Sequence, residues 1–146
     1  MICSKSTGTV TINLPALIDG QASIRVHESE IWDKHEIQVF DAEMVLLDDY
    51  VSQYNIASLD FIKCNIEGAE LLALQGCENS LRKWHPKLLV EVYAPLLKSF
   101  DYTPTDLFQF LQSVGYQNFY LVQEKPLQID VNKHEWNLPE NVYCSA

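Results

Sequence analysis

The stretch LDFIKCNIEGAELLALQGCENSLRKWHPKLLVEVY, residues 59–93, decides the fold of this chain. Leu59–Ile66 is an apolar run of the kind that forms a buried strand. Gly68–Lys83 predicts one helix, because its apolar residues recur at helical spacing along one stripe. Pro86 ends that helix, since the residue before a proline is pushed out of the helical region. Leu88–Tyr93 then predicts a second buried strand.

The C-terminal part continues the alternation of strands and helices. Thr103-Pro104-Thr105-Asp106 is a helix start with Thr as the cap and Pro at the first helical position, and Gly115 is its predicted C-cap. Phe119–Val122 and Val142–Cys144 are the last apolar segments, which we expect to form an antiparallel hairpin at the edge of the sheet. The succession predicts an α/β fold with parallel strands at its centre.

The N-terminal part is β-rich. Thr9–Leu14, Ala22–His27 and Ile37–Phe40 predict short strands. Asp48 is the predicted cap of a short helix that ends near Tyr54. Residues 28–49 hold eight acids and one base, which predicts a solvated acidic face in preference to a site for a cationic ligand.

The composition limits the classes of function. The chain has 146 residues, 47% hydrophobic and 21% charged, the balance of one globular domain. With a formal net charge of −10 it lacks the clustered basic residues that bind nucleic acid or an anionic membrane surface. No apolar run approaches the roughly 20 residues that span a bilayer, and the start carries no secretion signal. We therefore expect a soluble, cytoplasmic protein.

Cysteine and histidine give no sign of a metal site. The four cysteines are scattered, with no C-x-x-C pair, and we interpret all of them as structural. The four histidines, His27 among them, lack the spacing of helical metal pairs and are interpreted as surface or satisfied side chains. The three tryptophans are interpreted as packing residues.

Polar residues follow or interrupt the two central strands. Asn65 and Glu67 come at the carboxyl end of the first strand, where Gly68 allows a sharp turn, and Glu91 interrupts the second strand. Ligands of open α/β sheets gather at this edge, so a carboxylate there can accept a substrate proton. Two structural interpretations stay open: Glu67 as a helix-start acid, and Glu91 as an ion-pair partner of Lys63.

The middle of the chain resembles the FkbM family of methyltransferases. The family's TLDD element reads LLDD at Leu46–Asp49, and its KIDVEGAE element reads KCNIEGAE at Lys63–Glu70. A helix with the family's L…L-x-G spacing follows at Leu71–Leu81, and the strand led by proline and ending in glutamate reads PKLLVEV at Pro86–Val92. The resemblance extends from about Val45 to the end of the chain.

The resemblance implies a Rossmann-like class I methyltransferase sheet and S-adenosylmethionine as cofactor. It implies O-methylation of a small-molecule acceptor, a hydroxyl of a sugar or a polyketide. Glu67, Asn65 and Glu91 would then be the catalytic residues, with Asn65 and Gly68 also contacting the cofactor. The family's Asp is Asn65 here, and an amide orients a group but cannot act as a general base. That change moves the proton acceptor to Glu67 or Glu91.

The family's upstream elements, a first strand with a loop resembling DVGANIG and an acidic residue that holds the ribose, have no counterpart in residues 1–49. By this alignment residues 45–146 hold the fourth to seventh strands of a seven-stranded sheet, and residues 1–44 add β segments, within one domain. A strand without its usual neighbour predicts self-association through the unpaired edge, or a need for a partner that supplies the first strands. The alternative functions are a catalytically silent interaction module, from a truncated or inactive enzyme, and an unrelated α/β domain.

Overall fold

A computed structural model of the chain describes residues 2–16, 20–27 and 30–146. The strands are β1 (Ile2–Cys3), β2 (Gly8–Pro15), β3 (Ile37–Val45), β4 (Phe61–Cys64), β5 (Lys87–Val92), β6 (Asn118–Leu121), β7 (Leu127–Gln128) and β8 (Glu140–Ser145). The helices are α1 (Glu30–Lys34), α2 (Leu47–Gln53), α3 (Glu70–Gln75), α4 (Glu78–Trp84), α5 (Ala94–Ser99) and α6 (Pro104–Ser113).

The larger sheet has five strands in the order β4-β5-β8-β6-β7. Strands β4 and β5 are parallel, with Phe61 opposite Lys87, and the two helices α3 and α4 connect them. Strand β8 is antiparallel to both β5 and β6. The predicted α/β class is confirmed, with helices and a multi-stranded sheet in one mixed architecture. The expected position of the parallel strands at the centre is wrong, because β4 lies at an edge and β8, which pairs with β5, takes the middle position.

The C-terminal strands pair differently from the prediction. Strands β6 and β8 are antiparallel, with Phe119 opposite Cys144, as expected. The predicted position at the sheet edge is wrong, because β8 lies between β5 and β6 and the edge is formed by β7. Val142 and Cys144 are fully buried, as apolar side chains on an interior strand usually are.

The N-terminal strands form a separate sheet in the order β1-β3-β2, in which β2 and β3 pair antiparallel over their length. The predicted strand Ala22–His27 is wrong: within it, Ser23 makes an isolated bridge to Asn13 and no ladder forms. The side chains of this segment, Arg25 and His27 among them, bond instead to groups near the end of α5.

The single helix predicted over Gly68–Lys83 is two helices. Helix α3 ends at Gln75, and α4 begins at Glu78. A Cβ atom on Gly76 would lie 1.9 Å from the carbonyl oxygen of Ser4, so the chain after β1 packs directly on this glycine. The Gly76 carbonyl also accepts a hydrogen bond from the Asp48 N–H at 3.1 Å. The close approach of backbone from elsewhere accounts for the break.

The ends of the other helices follow the sequence more closely. Thr103 is the cap of α6 as predicted, and in the structure it forms a capping box with Asp106. Helix α4 ends at Trp84, one residue before His85, which adopts a left-handed φ of 44° ahead of Pro86. The cap predicted for Asp48 on its own helix is wrong, because α2 begins at Leu47 with Leu46 at its N-cap. None of the helices in the described ranges is long and apolar enough to cross a bilayer.

Candidate functional site

The turn after β4 brings Glu67 to the carboxyl edge of the larger sheet. Glu67 and Gly68 adopt successive positive φ values of 56° and 99°. A Cβ atom on Gly68 would lie 2.6 Å from the Leu96 carbonyl oxygen in α5, so only glycine fits here. The sharp turn predicted at Gly68 is therefore observed, and the close packing against α5 requires a glycine at this position. The cofactor contact implied for Gly68 stays a prediction.

Two buried side chains hold this turn from inside the protein. Oε1 of Glu70 accepts hydrogen bonds from the Ile66 N–H at 2.9 Å and the Gly68 N–H at 3.3 Å. The Tyr102 hydroxyl donates to the Gly68 carbonyl and accepts from the Leu71 N–H. Burial raises the pKa of Glu70, and the backbone hydrogen bonds oppose that change. The sequence analysis did not select Glu70. In the structure the acid in the first turn of α3 is Glu70, so the interpretation of Glu67 as a helix-start acid is wrong.

Glu67 and Glu91 line one cavity of about 710 Å³. The cavity lies where β4 and β5 end, and its other walls include Tyr93, Lys98 and Ser99 from the next part of the chain. His27 and Trp32 line it from the N-terminal part. Carboxylates and aromatic rings in a cavity of this size are typical of a site for a small molecule.

The Glu67 carboxyl has an altered acidity. Burial raises the pKa of Glu67 from 4.5 to about 7, with further contributions from the negative charges of Glu91 and Glu70. A carboxyl group with this pKa exchanges its proton near neutral pH.

Glu91 lies beside the end of β4. Burial raises the pKa of Glu91, whereas the charge of Lys63 and a hydrogen bond with the Asn65 side chain lower it. Asn65 continues the register that sets Cys64 opposite Val90, so it reaches Glu91 while remaining exposed and outside the cavity lining. The structure therefore places Glu67 and Glu91 in the cavity, Asn65 next to Glu91, and Gly68 in the turn behind them.

No local pattern in the sequence predicts the N-terminal wall of the cavity. His27 is only 6% exposed, and its Nε2 atom lies 2.9 Å from Ser23 Oγ. Trp32 is also buried and meets the His27 ring edge-on, with 5.3 Å between ring centroids. The interpretations of a satisfied histidine and a packing tryptophan describe their contacts, but their place beside Glu67 depends on chain segments that are far apart in the sequence.

The cysteines take structural positions. All four are free, with Cys64, Cys77 and Cys144 buried and Cys3 partly exposed. Burial raises the pKa of Cys77 to about 12, so this thiol stays protonated at neutral pH. Within the part of the chain that the structure describes, no group of three or more His, Cys, Asp or Glu side chains is arranged to hold a metal ion.

Comparison with known protein families identifies the family of the chain. A family model described as the Methyltransferase FkbM domain matches residues 11–117, more than half of the chain. The chain therefore belongs to the FkbM methyltransferase family. The match starts within β2 and ends just before β6, so strands of both sheets lie within it. No curated protein and no solved structure matches the chain significantly.

Proposed function

We propose that this chain is an S-adenosylmethionine-dependent methyltransferase that modifies a hydroxyl group of a sugar or natural product. Membership of the FkbM family supports methyl transfer in general. The observation that carries the proposal is Glu67, whose carboxyl lines the cavity with a pKa raised to about 7. A general base works best when its pKa lies near the operating pH, because it is then ionised and still accepts a proton readily.

The roles of the residues follow from their positions. Glu67 accepts the proton of the acceptor hydroxyl. Glu91 binds and orients that hydroxyl, and Asn65 holds the Glu91 carboxylate through its amide. S-adenosylmethionine supplies an electrophilic methyl group on a sulfonium ion. Alignment of the hydroxyl with that methyl group is the main task of the protein in such a displacement.

The residues of the cavity fit this cofactor. A volume of about 710 Å³ lies in the range of small-molecule sites. The carboxylates of Glu67 and Glu91 would offset the sulfonium charge, and the Trp32 ring offers a surface that attracts cations. Asn65 and Gly68 stay the predicted cofactor contacts from the family resemblance.

We also propose that the larger sheet is the part of a Rossmann-like class I sheet that holds its fourth to seventh strands. The parallel pair β4 and β5, followed by antiparallel β8, supports this correspondence. The lack of a nucleic-acid partner stays a prediction that rests on the net charge of −10, and a cytoplasmic location also stays a prediction.

Calorimetric titration with S-adenosylhomocysteine tests the proposal, because this product analogue needs no identified acceptor. We expect a dissociation constant in the micromolar range for the unmodified chain. Absence of binding at millimolar ligand would contradict the proposal and favour the silent interaction module. That second function is supported by one observation: Asn65, at the position of the family's Asp, is an amide bonded to Glu91.

Methyl transfer itself is measured with methyl-labelled S-adenosylmethionine and a panel of sugars and polyketide-like alcohols. Glu67→Gln keeps the shape of the side chain and removes the base, so we expect a loss of about 100-fold or more in rate. Glu124→Gln is the matched control, since Glu124 is exposed and lies outside the cavity lining. Equal rates in the two variants would exclude Glu67 as the base.

A further inference from the structure

The N-terminal wall of the cavity is a short irregular segment, residues 20–27, here called the wall segment. Its backbone is fixed to β2, because Ser23 exchanges two hydrogen bonds with Asn13 at 2.8 and 2.9 Å. Its other end is fixed to the region after α5, where the Arg25 guanidinium lies 4.9 Å from the centre of the Phe100 ring. The wall segment is therefore held at Ser23 and Arg25 without being part of a sheet.

Two side chains of the wall segment meet the backbone of Glu67. The Ser23 hydroxyl lies 2.9 Å from His27 Nε2 and 3.5 Å from the carbonyl oxygen of Glu67. Burial lowers the pKa of His27, and a hydrogen bond to the Glu67 main chain opposes this change. His27 and Ser23 thus share one polar contact with the peptide group of Glu67.

The second ring nitrogen of His27 is also engaged. Nδ1 lies 3.4 Å from Ser99 Oγ, and that hydroxyl donates its own proton to the Leu96 carbonyl at 2.6 Å. A neutral ring carries one hydrogen, and only on Nε2 does it complete the chain to Glu67: Nε2–H donates to Ser23 Oγ, and the Ser23 hydroxyl donates to the Glu67 carbonyl. The ring orientation is set by α5, and Nε2 is left facing Ser23 and Glu67.

The backbone conformation of Glu67 needs support from neighbouring contacts. A residue with a side chain adopts a φ of 56° at a cost in free energy, and such conformations persist where surrounding contacts determine them. In this conformation the carboxyl faces the cavity, close to the like charges of Glu91 and Glu70, and without support the turn would relax and let the carboxyl reach water.

We propose that His27, together with Ser23, is a positioning residue that holds the main chain of Glu67 so that its carboxyl stays in the cavity. The inference deepens the proposed function, since it assigns support to the residue proposed as the base. His27 does not itself accept the substrate proton, because both of its ring nitrogens are engaged by serine hydroxyls.

The test is a carbon-13 NMR titration of the Glu67 carboxyl in the full chain without cofactor or acceptor. We expect a midpoint near pH 7 in the unmodified chain. In His27→Phe, which keeps a ring against Trp32 and loses both nitrogens, the midpoint should fall by about one unit or more as the carboxyl reaches water. His27→Gln keeps a hydrogen-bonding group and should retain most of the elevation.

The matched control is His134→Phe. His134 also meets a tryptophan edge-on, Trp136, and also contacts a polar group, with Nε2 2.7 Å from Glu140 Oε2, but it lies outside the cavity lining. This variant should leave the Glu67 midpoint unchanged. Glu91, Glu70 and Lys98 are the charged groups near Glu67 that the titration also senses, and none of these variants alters them.

A folded His27→Phe chain with the Glu67 midpoint of the unmodified chain would overturn the proposal, and so would an ordinary carboxyl midpoint in the unmodified chain. If His27→Phe does not fold, Ser23→Ala decides, because it removes one oxygen and should lower the midpoint in the same direction. The measurement needs no methyl transfer. Failure to bind S-adenosylhomocysteine would therefore defeat the proposed function and leave this result standing.

Discussion

The carboxylate of Asp48, in helix α2, caps helix α4 at Ser80. Oδ1 of Asp48 accepts hydrogen bonds from the Ser80 N–H at 2.9 Å and from Ser80 Oγ at 2.5 Å. Oδ2 accepts from the Asn79 N–H at 2.9 Å. Cys77, the N-cap residue of α4, makes no side-chain cap hydrogen bond. The free N–H groups at the start of α4 are therefore satisfied by another helix, 31 or 32 residues earlier in the chain.

Asp48→Ala should lower the free energy of unfolding by about 1–2 kcal/mol, because it leaves the start of α4 without its acceptor. Urea denaturation measures the change. Asp49→Ala is the matched control, since Asp49 is the exposed neighbour in the same helix. Equal losses in the two variants would show that Asp48 has no special role as a cap.

Gly76→Ala should destabilise the protein by about 1–3 kcal/mol, because the new methyl group would overlap the Ser4 carbonyl 1.9 Å away. The φ of Gly76 is −73°, so backbone strain adds nothing to the effect. Gly20→Ala tests backbone strain without close packing, because Gly20 has a φ of 88° and nothing lies within 4 Å of the new methyl group. Thermal denaturation of both variants is the measurement, and a Gly76→Ala chain as stable as the unmodified chain would refute close packing at this site.

The raised pKa of Glu67 makes stability depend on pH. The folded chain keeps this proton up to about pH 7, whereas the unfolded chain loses it near pH 4.5. The stabilisation from the protonated form is therefore complete below about pH 4.5 and is lost as the pH rises through 7.

Glu67→Gln is neutral at every pH and should become more stable than the unmodified chain as the pH rises. We expect the difference in unfolding free energy to grow by about 2 kcal/mol between acid and mildly alkaline pH, less than the full pKa change implies because the carboxyl is partly solvated. Denaturation curves at several pH values measure it, with Glu124→Gln as control. A difference in unfolding free energy that does not vary with pH would contradict the raised pKa of the Glu67 carboxyl.

Strand β4 lies at the edge of the larger sheet, with β5 as its hydrogen-bonded neighbour among the described strands. The Lys87 N–H donates to the Asp60 carbonyl, so the alternate residues Phe61 and Lys63 direct their backbone groups to the open side. Two copies paired antiparallel about Ile62 would set Phe61 of one copy opposite Lys63 of the other. We therefore expect a weak, concentration-dependent dimer.

Sedimentation velocity over a range of concentrations measures this association. Phe61→Lys should abolish it, because in this register it sets like charges opposite each other at both pairs of residues 61 and 63. Phe40→Lys is the control, because Phe40 is matched in chemistry and exposure, 51% against 54% for Phe61, and lies in the other sheet. A monomer at every concentration, or equal effects of the two variants, would rule out pairing through β4.

Much of the fold could be predicted because its signals are local. The apolar runs at β4 and β5 and the capping box of α6 act within a few residues. The errors occur where distant segments meet. The break at Gly76 needs Ser4, and the burial of β8 needs the side chains of both neighbouring strands, so neither can be deduced from periodicity along the chain.

The candidate site divides in the same way. Glu67 and Glu91 could be selected because each is a charge at or within an apolar strand, where burying an unpaired carboxylate costs free energy. Their shared cavity supports that selection, whereas their catalytic roles stay predictions. His27, Trp32 and Glu70 could not be selected, since nothing near them in sequence distinguishes them from packing or surface residues.

The sequence by itself determined the α/β class, the family, and the two glutamates at the carboxyl edge of the sheet, because residue pattern and strand direction are properties of short segments. The tertiary structure alone decided that the wall segment faces Glu67, that Asp48 caps a helix other than its own, and that the Glu67 proton is held to near neutral pH. Each of these depends on the distance between groups far apart in the chain and on the exclusion of water between them, which arise only when the chain packs.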